Sequence, residues 1–156
     1  MILYGADDTI FAFDNALVLA ALSTKHLSMM NVSCPFCQMC EQRIVMKNDC
    51  TYAVADIAPV SPGHGLIIPI RHVSRLEELN THEWQSAGEL LQRMRDFITE
   101  KHSPNGFNIG INDGKAAGQT VPHLHIHIIP RYNGDCADPT GGIRLLFPEK
   151  AKWQKE

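Results

Sequence analysis

Three histidines stand at every second position in the stretch HLHIHII, residues 123 to 129. In a β-strand, residues i, i+2 and i+4 lie on one face, about 6.6 Å from one to the next. His123, His125 and His127 would therefore project together, and the aliphatic residues between them would face the other side. Three adjacent imidazoles gain nothing on a plain exposed face, because their protonated forms repel one another. The pattern therefore indicates a chemical role.

Two chemical roles suit this pattern. A His-x-His pair on a strand can bind zinc, although His123 and His127 lie about 13 Å apart at Cα and could share one ion only if the strand bends. Alternatively, His125 is a nucleophile. A neutral imidazole whose Nδ1–H is held by a backbone carbonyl presents a free Nε2 lone pair, which attack on phosphorus requires. The histidine spacing alone leaves both roles open.

The loop before the histidines favours phosphorus chemistry. It reads NDGKAAGQT, residues 112–120, and carries side chains able to donate hydrogen bonds at Asn112, Gln119 and Thr120. Gly114 and Gly118 let backbone amides approach an anion closely. A glycine-containing loop is weak evidence alone, but this one ends two residues before the histidine stretch. We therefore expect an anion to lie between the loop and the histidines.

The cysteines suggest a second site. Five are present, and Cys34, Cys37 and Cys40 form the stretch CPFCQMC. A Cys-x-x-Cys pair is half of a zinc site, and the alternative is a pair without metal. An odd number clustered in this way is not typical of a secreted disulfide scaffold. We therefore expect a reduced, cytoplasmic setting.

Composition restricts the partners. The chain has 156 residues, a formal net charge of −3 and a pI near 6.2. Duplex nucleic-acid binding requires a basic footprint, so we expect no nucleic-acid partner, although a site for one nucleotide is compatible with this charge. No run of about 18 apolar residues occurs, so we expect no membrane partner. The apolar stretch at residues 15–23 lacks the basic flank of a secretory signal.

The pattern of elements predicts an α+β domain. Asn80 and Glu83 form a capping box before a helix over residues 81–101, whose apolar stripe is Trp84, Ala87, Leu91, Met94 and Ile98. Strands are predicted over residues 43–49, 51–59, 64–70, 107–113 and 123–132. This gives an antiparallel sheet with one long helix across it. We assign residues 32–156 to this domain and residues 1–31 to an N-terminal extension, with a helix over 13–30.

Several stretches resemble the HIT (histidine triad) superfamily. GQTVPHLHIHIIPR resembles its signature, in which three histidines alternate with apolar residues. SPGHGLIIPIRHV, residues 61–73, is similar to its Pro-Gly-His strand and following Arg-His pair, and residues 110–120 are similar to its glycine-containing loop. The tail at residues 138–153 resembles those of bacterial members. The resemblance implies a HIT-like fold, a five-stranded antiparallel sheet with one long helix, and a homodimer that joins two such sheets.

The resemblance also implies a function, nucleotidyl hydrolysis or transfer. His125 would attack the α-phosphate and form a covalent nucleotidyl-histidine, and His127 would contact the phosphate and help to transfer a proton to the leaving group. Asp56 falls on the position that binds ribose hydroxyls. The implied phosphate or leaving-group contacts are Asn112, Gly118, Gln119 and Thr120. The implied substrates are dinucleoside polyphosphates or adenylated amines, with no catalytic metal expected.

Zinc-containing relatives complete their metal site with the histidine of the Arg-His pair and the first histidine of the triad. That resemblance implies a structural Zn²⁺ site formed by Cys34, Cys37, His72 and His123. Cys40 would then be a bystander. His64 has an expected structural role, or one close to the reacting histidines.

Three competing functions stay open. A nucleotidyltransferase or phosphorylase would pass the nucleotide to an acceptor other than water; because relatives of that kind often carry glutamine at the third triad position, His127 favours hydrolysis. A non-catalytic nucleotide-binding zinc module is the second alternative. The third is a metallohydrolase built on the three histidines.

Overall fold

The computed structural model describes residues 34–152. The helix expected over residues 13–30 and the boundary at residue 31 lie outside this range. The described elements are β1 (Ile44–Lys47), β2 (Thr51–Ala55), β3 (Gly65–Pro69), α1 (Thr81–His102), β4 (Gly106–Ile111) and β5 (Ile126–Arg131). Short 3₁₀ segments lie between them and after β5, the longest being Gly142–Leu146.

The five strands form one antiparallel sheet in the order β1-β2-β3-β5-β4. The predicted α+β fold, a five-stranded antiparallel sheet with one long helix, is therefore confirmed. The histidine-bearing strand β5 lies inside the sheet, where His127 is paired with Leu66 on β3 and Gly110 on β4. A strand that is hydrogen-bonded on both sides holds its side chains in a fixed register.

The sheet buries both of its faces. On one face, α1 packs against the sheet through Ala87, Leu90, Met94 and Ile98, which contact Ile67, Ile126 and Ile128. A Cβ at Gly65 would lie 2.8 Å from the Met94 Cε, so the flexible end of the Met94 side chain would have to shift to admit it. On the other face, Val54 and Leu66 pack with Phe36 and Met39 from the cysteine-containing segment. His127, which is paired with Leu66, lies on this second face.

Helix α1 begins and ends as its sequence predicts. Asn80 Oδ1 accepts the backbone N–H of Glu83, and the Glu83 carboxylate accepts the backbone N–H of Asn80. Ser103 ends the helix in the left-handed conformation, at φ 48°. The predicted stripe needs one correction: Trp84 is 50% exposed, and Glu83 and Leu90 are buried instead. Glu83 is tolerated there because it binds both the helix N-terminus and Arg71.

The predicted strands are too long at their ends. The main correction is β5, which begins at Ile126, so that His123 and His125 precede the strand. The reason is local pairing: His123 N–H donates to Val121 O at 2.8 Å and Leu124 N–H donates to Val73 O at 2.6 Å. These bonds occupy the backbone N–H groups of His123 and Leu124, and pairing with β3 and β4 begins only at Ile126.

Strand β2 ends at Ala55 for a similar reason. The Asp56 carboxylate accepts the backbone N–H of Ala58 and so starts a turn. Across residues 34–152, no helix is both long enough and apolar enough to cross a membrane.

Candidate active site and metal centre

His125 is held in one tautomer by its own backbone. Its Nδ1 lies 2.8 Å from the carbonyl oxygen of His123. A carbonyl can only accept, so the hydrogen must sit on Nδ1, and Nε2 carries a free lone pair. The residue is only 7% exposed, and the edge of Phe36 packs on its ring at 5.2 Å between centroids. The ring is thereby oriented as a nucleophile.

His127 is oriented by His64. The backbone N–H of Val60 donates to His64 Nδ1 at 3.3 Å, which places the His64 hydrogen on Nε2. That nitrogen lies 3.0 Å from His127 Nδ1 and donates to it. A neutral His127 must then carry its hydrogen on Nε2. His127 therefore presents a donor, whereas His125, 5.0 Å away between ring centroids, presents a lone pair.

Burial keeps the rings of His64 and His127 neutral. It lowers the pKa of His64, and the nearby Asp56 carboxylate opposes that effect. Burial also lowers the pKa of His127, with further lowering by the rings of His125 and His64 and opposition by Asp56. Asp56 Oδ2 lies 3.6 Å from His64 Nε2, so the carboxylate also favours the tautomer that donates to His127. Neutral rings are required for the bond pattern described above.

A cavity of about 320 Å³ opens beside these rings, and we call it the proximal cavity. Its polar wall is formed by Arg43, Asp56, Asn112, Thr120, His125 and His127. Its apolar wall includes Pro35, Phe36, Met39, Val54, Ile57, Leu66 and Val121. Volumes of this order suit one small-molecule ligand, and the combination of one polar and one apolar wall suits a nucleoside phosphate.

The glycine-containing loop is anchored by Gln119. Its side-chain oxygen accepts the backbone N–H of Gly114 at 3.0 Å, and its amide nitrogen donates to Ser74 O at 2.8 Å. The Gln119 side chain is thus occupied within the loop, and neither it nor Gly118 lines the proximal cavity. Gly118 adopts φ 87°, which favours glycine, and so closes the turn that leads to Thr120.

The predicted metal ligands come together. Ligand atoms of Cys34, Cys37, His72 and His123 lie within 4.8 Å of one another. The His123 Nδ1 lies 3.4 Å from Cys34 Sγ and 3.5 Å from Cys37 Sγ, and the Cys37 Sγ lies 3.1 Å from His72 Nδ1. Tetrahedral zinc with its usual bond lengths separates sulfur and nitrogen ligands by about 3.5 Å. The donor set and its spacing therefore fit zinc.

The tautomer of His123 also fits a metal ligand. Its Nε2 donates to Pro69 O at 2.9 Å, which leaves Nδ1 without a hydrogen and facing the two sulfurs. Metal-binding histidines typically donate their other nitrogen in this way. Burial lowers the pKa of His123 to about 4, so the ring stays in the neutral form that a metal requires. Cys40, in contrast, is exposed, and its thiol contacts Gln42.

The possible metal cluster and the candidate active site share one stretch of backbone, from His123 to His125. The His123 ring belongs to the cluster of possible metal ligands, and its carbonyl accepts the Nδ1–H of His125. The residue before His123 is joined to the anchor of the glycine-containing loop, because Ser74 Oγ donates to Pro122 O at 3.0 Å. A metal at the cluster would thus stabilise the backbone that orients His125.

Sequence reasoning did not identify Phe36 as a site residue. Its ring contacts both His123 and His125, and its carbonyl accepts the Tyr52 hydroxyl at 2.6 Å. Its position inside the Cys-x-x-Cys loop was the available signal, since a residue between two ligands must lie beside the metal site. Sequence reasoning also left the partner of His64 undetermined, because contacts between distant residues leave no local pattern.

Comparison with known proteins gives a family match. A model described as the HIT domain matches residues 38–134. The bis(5'-adenosyl)-triphosphatase of Saccharomyces cerevisiae is 42% identical over 92 residues, which are 58% of this chain and 45% of that protein. The AP-4-A phosphorylase of Mycobacterium tuberculosis is 38% identical over 109 residues, or 68% of this chain and 56% of that protein. The chain thus spans about half the length of the curated relatives it matches.

Solved structures agree in fold. The crystal structure of a zinc-bound histidine triad family protein from Mycobacterium smegmatis superposes with a TM-score of 0.61 at 35% identity, covering 68% of this chain and 80% of that one. A HIT family protein from Bacillus anthracis gives a TM-score of 0.62 at 32% identity, covering 67% and 77%. The sheet and helix described above are therefore shared with these proteins.

Proposed function

Since the chain belongs to the HIT domain family, we propose that it is a nucleotidyl hydrolase acting on a dinucleoside polyphosphate or an adenylated amine. The proposal assigns the reaction to the proximal cavity, with His125 as the nucleophile. The observation that carries it is the bond from His125 Nδ1 to the His123 carbonyl, because that bond leaves Nε2 free for phosphorus. The product would be a nucleoside monophosphate.

In the first step, the Nε2 lone pair of His125 forms a bond to the α-phosphorus. The bond between phosphorus and the leaving group breaks, and its electron pair leaves with the leaving group. The new nucleotidyl-imidazolium keeps its Nδ1–H on the His123 carbonyl, which disperses the positive charge. His127 Nε2–H donates to the departing atom, where negative charge develops. A polyphosphate leaves as its anion, whereas an amine nitrogen takes a proton from solvent before the bond breaks and leaves as the neutral amine. A fixed imidazole replaces an unoriented water in this step.

In the second step, water attacks phosphorus and His125 is released as a neutral ring. The proton lost by water passes to solvent or to the departing product. Asn112 and Thr120 lie on the cavity wall where donors to the phosphate oxygens are required. We assign Gly118 and Gln119 a supporting role in this binding, through the loop that carries Thr120. Asp56 is assigned to ribose hydroxyls at the end of β2, beside His64.

We also propose a structural zinc ion at Cys34, Cys37, His72 and His123. The spacing of their donor atoms and the bond from His123 to Pro69 support this assignment. When bound, zinc supplies a crosslink between the cysteine-containing segment and the histidine stretch. The homodimer that joins two five-stranded sheets stays part of the proposal, and sedimentation of the purified chain would test it.

The named relatives leave the choice between hydrolase and phosphorylase open, because they include both kinds of enzyme. One is called a triphosphatase and the other a phosphorylase. Histidine at position 127, rather than glutamine, favours water as the acceptor. The two are separated by supplying inorganic phosphate: a phosphorylase yields a nucleoside diphosphate, whereas a hydrolase yields only the monophosphate from the attacked nucleotide.

The decisive experiment is isolation of the covalent intermediate. The protein is incubated with diadenosine triphosphate, quenched under alkaline conditions, and residues 123–131 are analysed by mass spectrometry. An adenylyl group on His125 is expected in the parent and should be absent from His125→Ala. Unchanged turnover by that variant would disprove the assignment, and binding without turnover in the parent would favour a non-catalytic module.

A further inference from the structure

The Cys-x-x-Cys turn brings two thiols to one nitrogen. The backbone N–H of Gln38 donates to the carbonyl of Cys34 at 3.3 Å and so folds residues 34–38 into a turn. Cys34 Sγ lies 3.4 Å from His123 Nδ1, and Cys37 Sγ lies 3.5 Å from it. The two sulfurs lie within 4.8 Å of each other. A disulfide bond is about 2.05 Å long, so the sulfurs need to approach by less than about 3 Å to form one.

The two thiols differ in their access to solvent. Cys34 is buried, whereas Cys37 is half-buried. A dissolved oxidant therefore reaches the Cys37 sulfur more easily. Zinc-bound cysteines are thiolates, and the thiolate is the form that reacts with peroxide. The turn thus holds an accessible sulfur and a second sulfur close enough to displace oxygen from it.

The same turn is part of the candidate active site. Phe36 lies between the two cysteines, and its ring packs on His125 at 5.2 Å between centroids and on His123 at 5.7 Å. Pro35 and Phe36 both line the proximal cavity. A movement that joins the two sulfurs changes the backbone between them. It therefore changes the contact of Phe36 with the His125 ring.

Two anchors hold Phe36 in its place. The Tyr52 hydroxyl donates to the Phe36 carbonyl at 2.6 Å, and Tyr52 is buried in β2. The other anchor is the metal cluster, whose cysteines flank Phe36 on both sides. Loss of the cluster would leave only the Tyr52 bond. The position of Phe36 on His125 therefore depends on the state of the two thiols.

We propose that Cys34 and Cys37 form a reversible disulfide in the presence of hydrogen peroxide, and that this disulfide releases the metal and moves Phe36 away from His125. The metal is lost because only His72 and His123 remain of the four donors, and a disulfide sulfur carries no negative charge. The effect on turnover rests on the proposed function, whereas the disulfide and the metal release do not.

The oxidation has two steps. The Cys37 thiolate attacks one oxygen of hydrogen peroxide: an S–O bond forms, the O–O bond breaks and hydroxide leaves, which gives a sulfenic acid. The Cys34 thiolate then attacks the Cys37 sulfur: an S–S bond forms, the S–O bond breaks and a second hydroxide leaves. The two sulfurs together lose two electrons, which peroxide gains, and solvent protons convert both hydroxides to water.

Cys40 is the competing thiol. It follows Cys37 at the same spacing at which Cys37 follows Cys34. However, its side chain is exposed and contacts Gln42, and it is not among the donor atoms that meet at the cluster. We therefore assign Cys34 as the partner of Cys37. The variant Cys40→Ser removes the competitor and leaves the cluster intact.

The test uses Cys40→Ser loaded with zinc sulfate. Its tryptic peptide, residues 26–43, contains Cys34 and Cys37 as its only thiols. After one equivalent of hydrogen peroxide, both thiols should resist alkylation, the peptide should have lost one hydrogen from each, and zinc should pass to a chromogenic chelator. Dithiothreitol should restore alkylation and zinc binding. The parent protein should respond in the same way.

Kinetics and one further variant complete the design. For the oxidised protein, kcat on diadenosine triphosphate should fall about tenfold or more and recover on reduction, since misplacement by about 1 Å can cost up to about 100-fold. Cys34→Ser should show neither the disulfide nor a reversible loss of rate. Because Cys34 is buried, thermal unfolding must show that this variant is folded; the results for Cys40→Ser do not depend on it.

Several outcomes would overturn the inference: a sulfinic acid on Cys37 without a disulfide, a disulfide that leaves zinc bound, a reduced protein that takes up no zinc, or full turnover by the oxidised protein. If neither redox state cleaves a nucleotide, the proposed function fails. Alkylation and zinc release then still decide whether the disulfide forms and releases the metal, because neither measurement requires turnover.

Discussion

In the proposed reaction, His64 orients the donor His127 through a hydrogen bond to its Nδ1. Its Nε2–H is the group that keeps the hydrogen of His127 on the nitrogen facing the leaving group. We predict that His64→Leu, which removes this donor, slows formation of the nucleotidyl-histidine. His64→Gln should retain most of the rate, because a glutamine amide can place an N–H near the position of the lost Nε2.

The magnitude follows from one hydrogen bond. In the transition state, His127 Nε2–H donates to an atom that gains negative charge. Hydrogen bonds to charged groups contribute roughly 1.5–3 kcal/mol. At about 1.36 kcal/mol for each factor of ten, the loss is between about 10- and 150-fold in the rate of the first step. The second step has no leaving nucleotide to stabilise, so release of the monophosphate should change little.

Rapid-quench measurement separates the two steps. Diadenosine triphosphate is mixed with excess protein, and the nucleotidyl-histidine and released monophosphate are followed over time. His64 is only 4% exposed, so thermal unfolding of each variant must accompany the kinetics. If His64→Leu is folded and forms the intermediate as fast as the parent, the orienting role is wrong. The same conclusion follows if the Gln and Leu variants lose equal rate.

Three further outcomes are expected. Cys37→Ser should lose bound zinc by elemental analysis and lower the thermal midpoint, whereas Cys40→Ser, changed outside the cluster, should do neither. Leu90→Ala, at a fully buried position of α1, should reduce the free energy of unfolding by about 2–5 kcal/mol in urea titrations, and a value near zero would contradict the packing described. Burial lowers the pKa of His64 and His127, so as the pH falls the unfolded chain takes up protons at these two rings before the folded chain does. Stability should therefore be full above about pH 6.5 and should decline below it, by up to about 1.4 kcal/mol per proton per pH unit. The decline should be shallower in His64→Gln.

Local patterns in the sequence were sufficient for the elements. The capping box at Asn80 and Glu83 predicted the start of α1, and the two-residue period predicted that β5 would be a strand. The placement of Trp84 in the core was wrong: Trp84 is 50% exposed, and its neighbour Glu83 is buried, paired with Arg71. Periodicity counts apolar residues and does not foresee that a charged residue can be buried by an ion pair.

The site was predicted in part. The four metal ligands named from the sequence meet in the structure, although His123 and Cys34 are 89 residues apart. That prediction came from resemblance to a family and not from spacing. The occupied side chain of Gln119 was not foreseen, because its partners Gly114 and Ser74 are brought together only when the loop folds.

The order of residues alone determined that three imidazoles would be near one another and near a glycine-containing loop, because they lie within five consecutive residues that follow that loop. Which nitrogen of each ring carries the hydrogen was decided by the tertiary structure. His123 donates to Pro69 from β3, His125 to its own chain, and His127 accepts from His64. A histidine can carry its hydrogen on either nitrogen, and only a partner placed by the fold selects one of them.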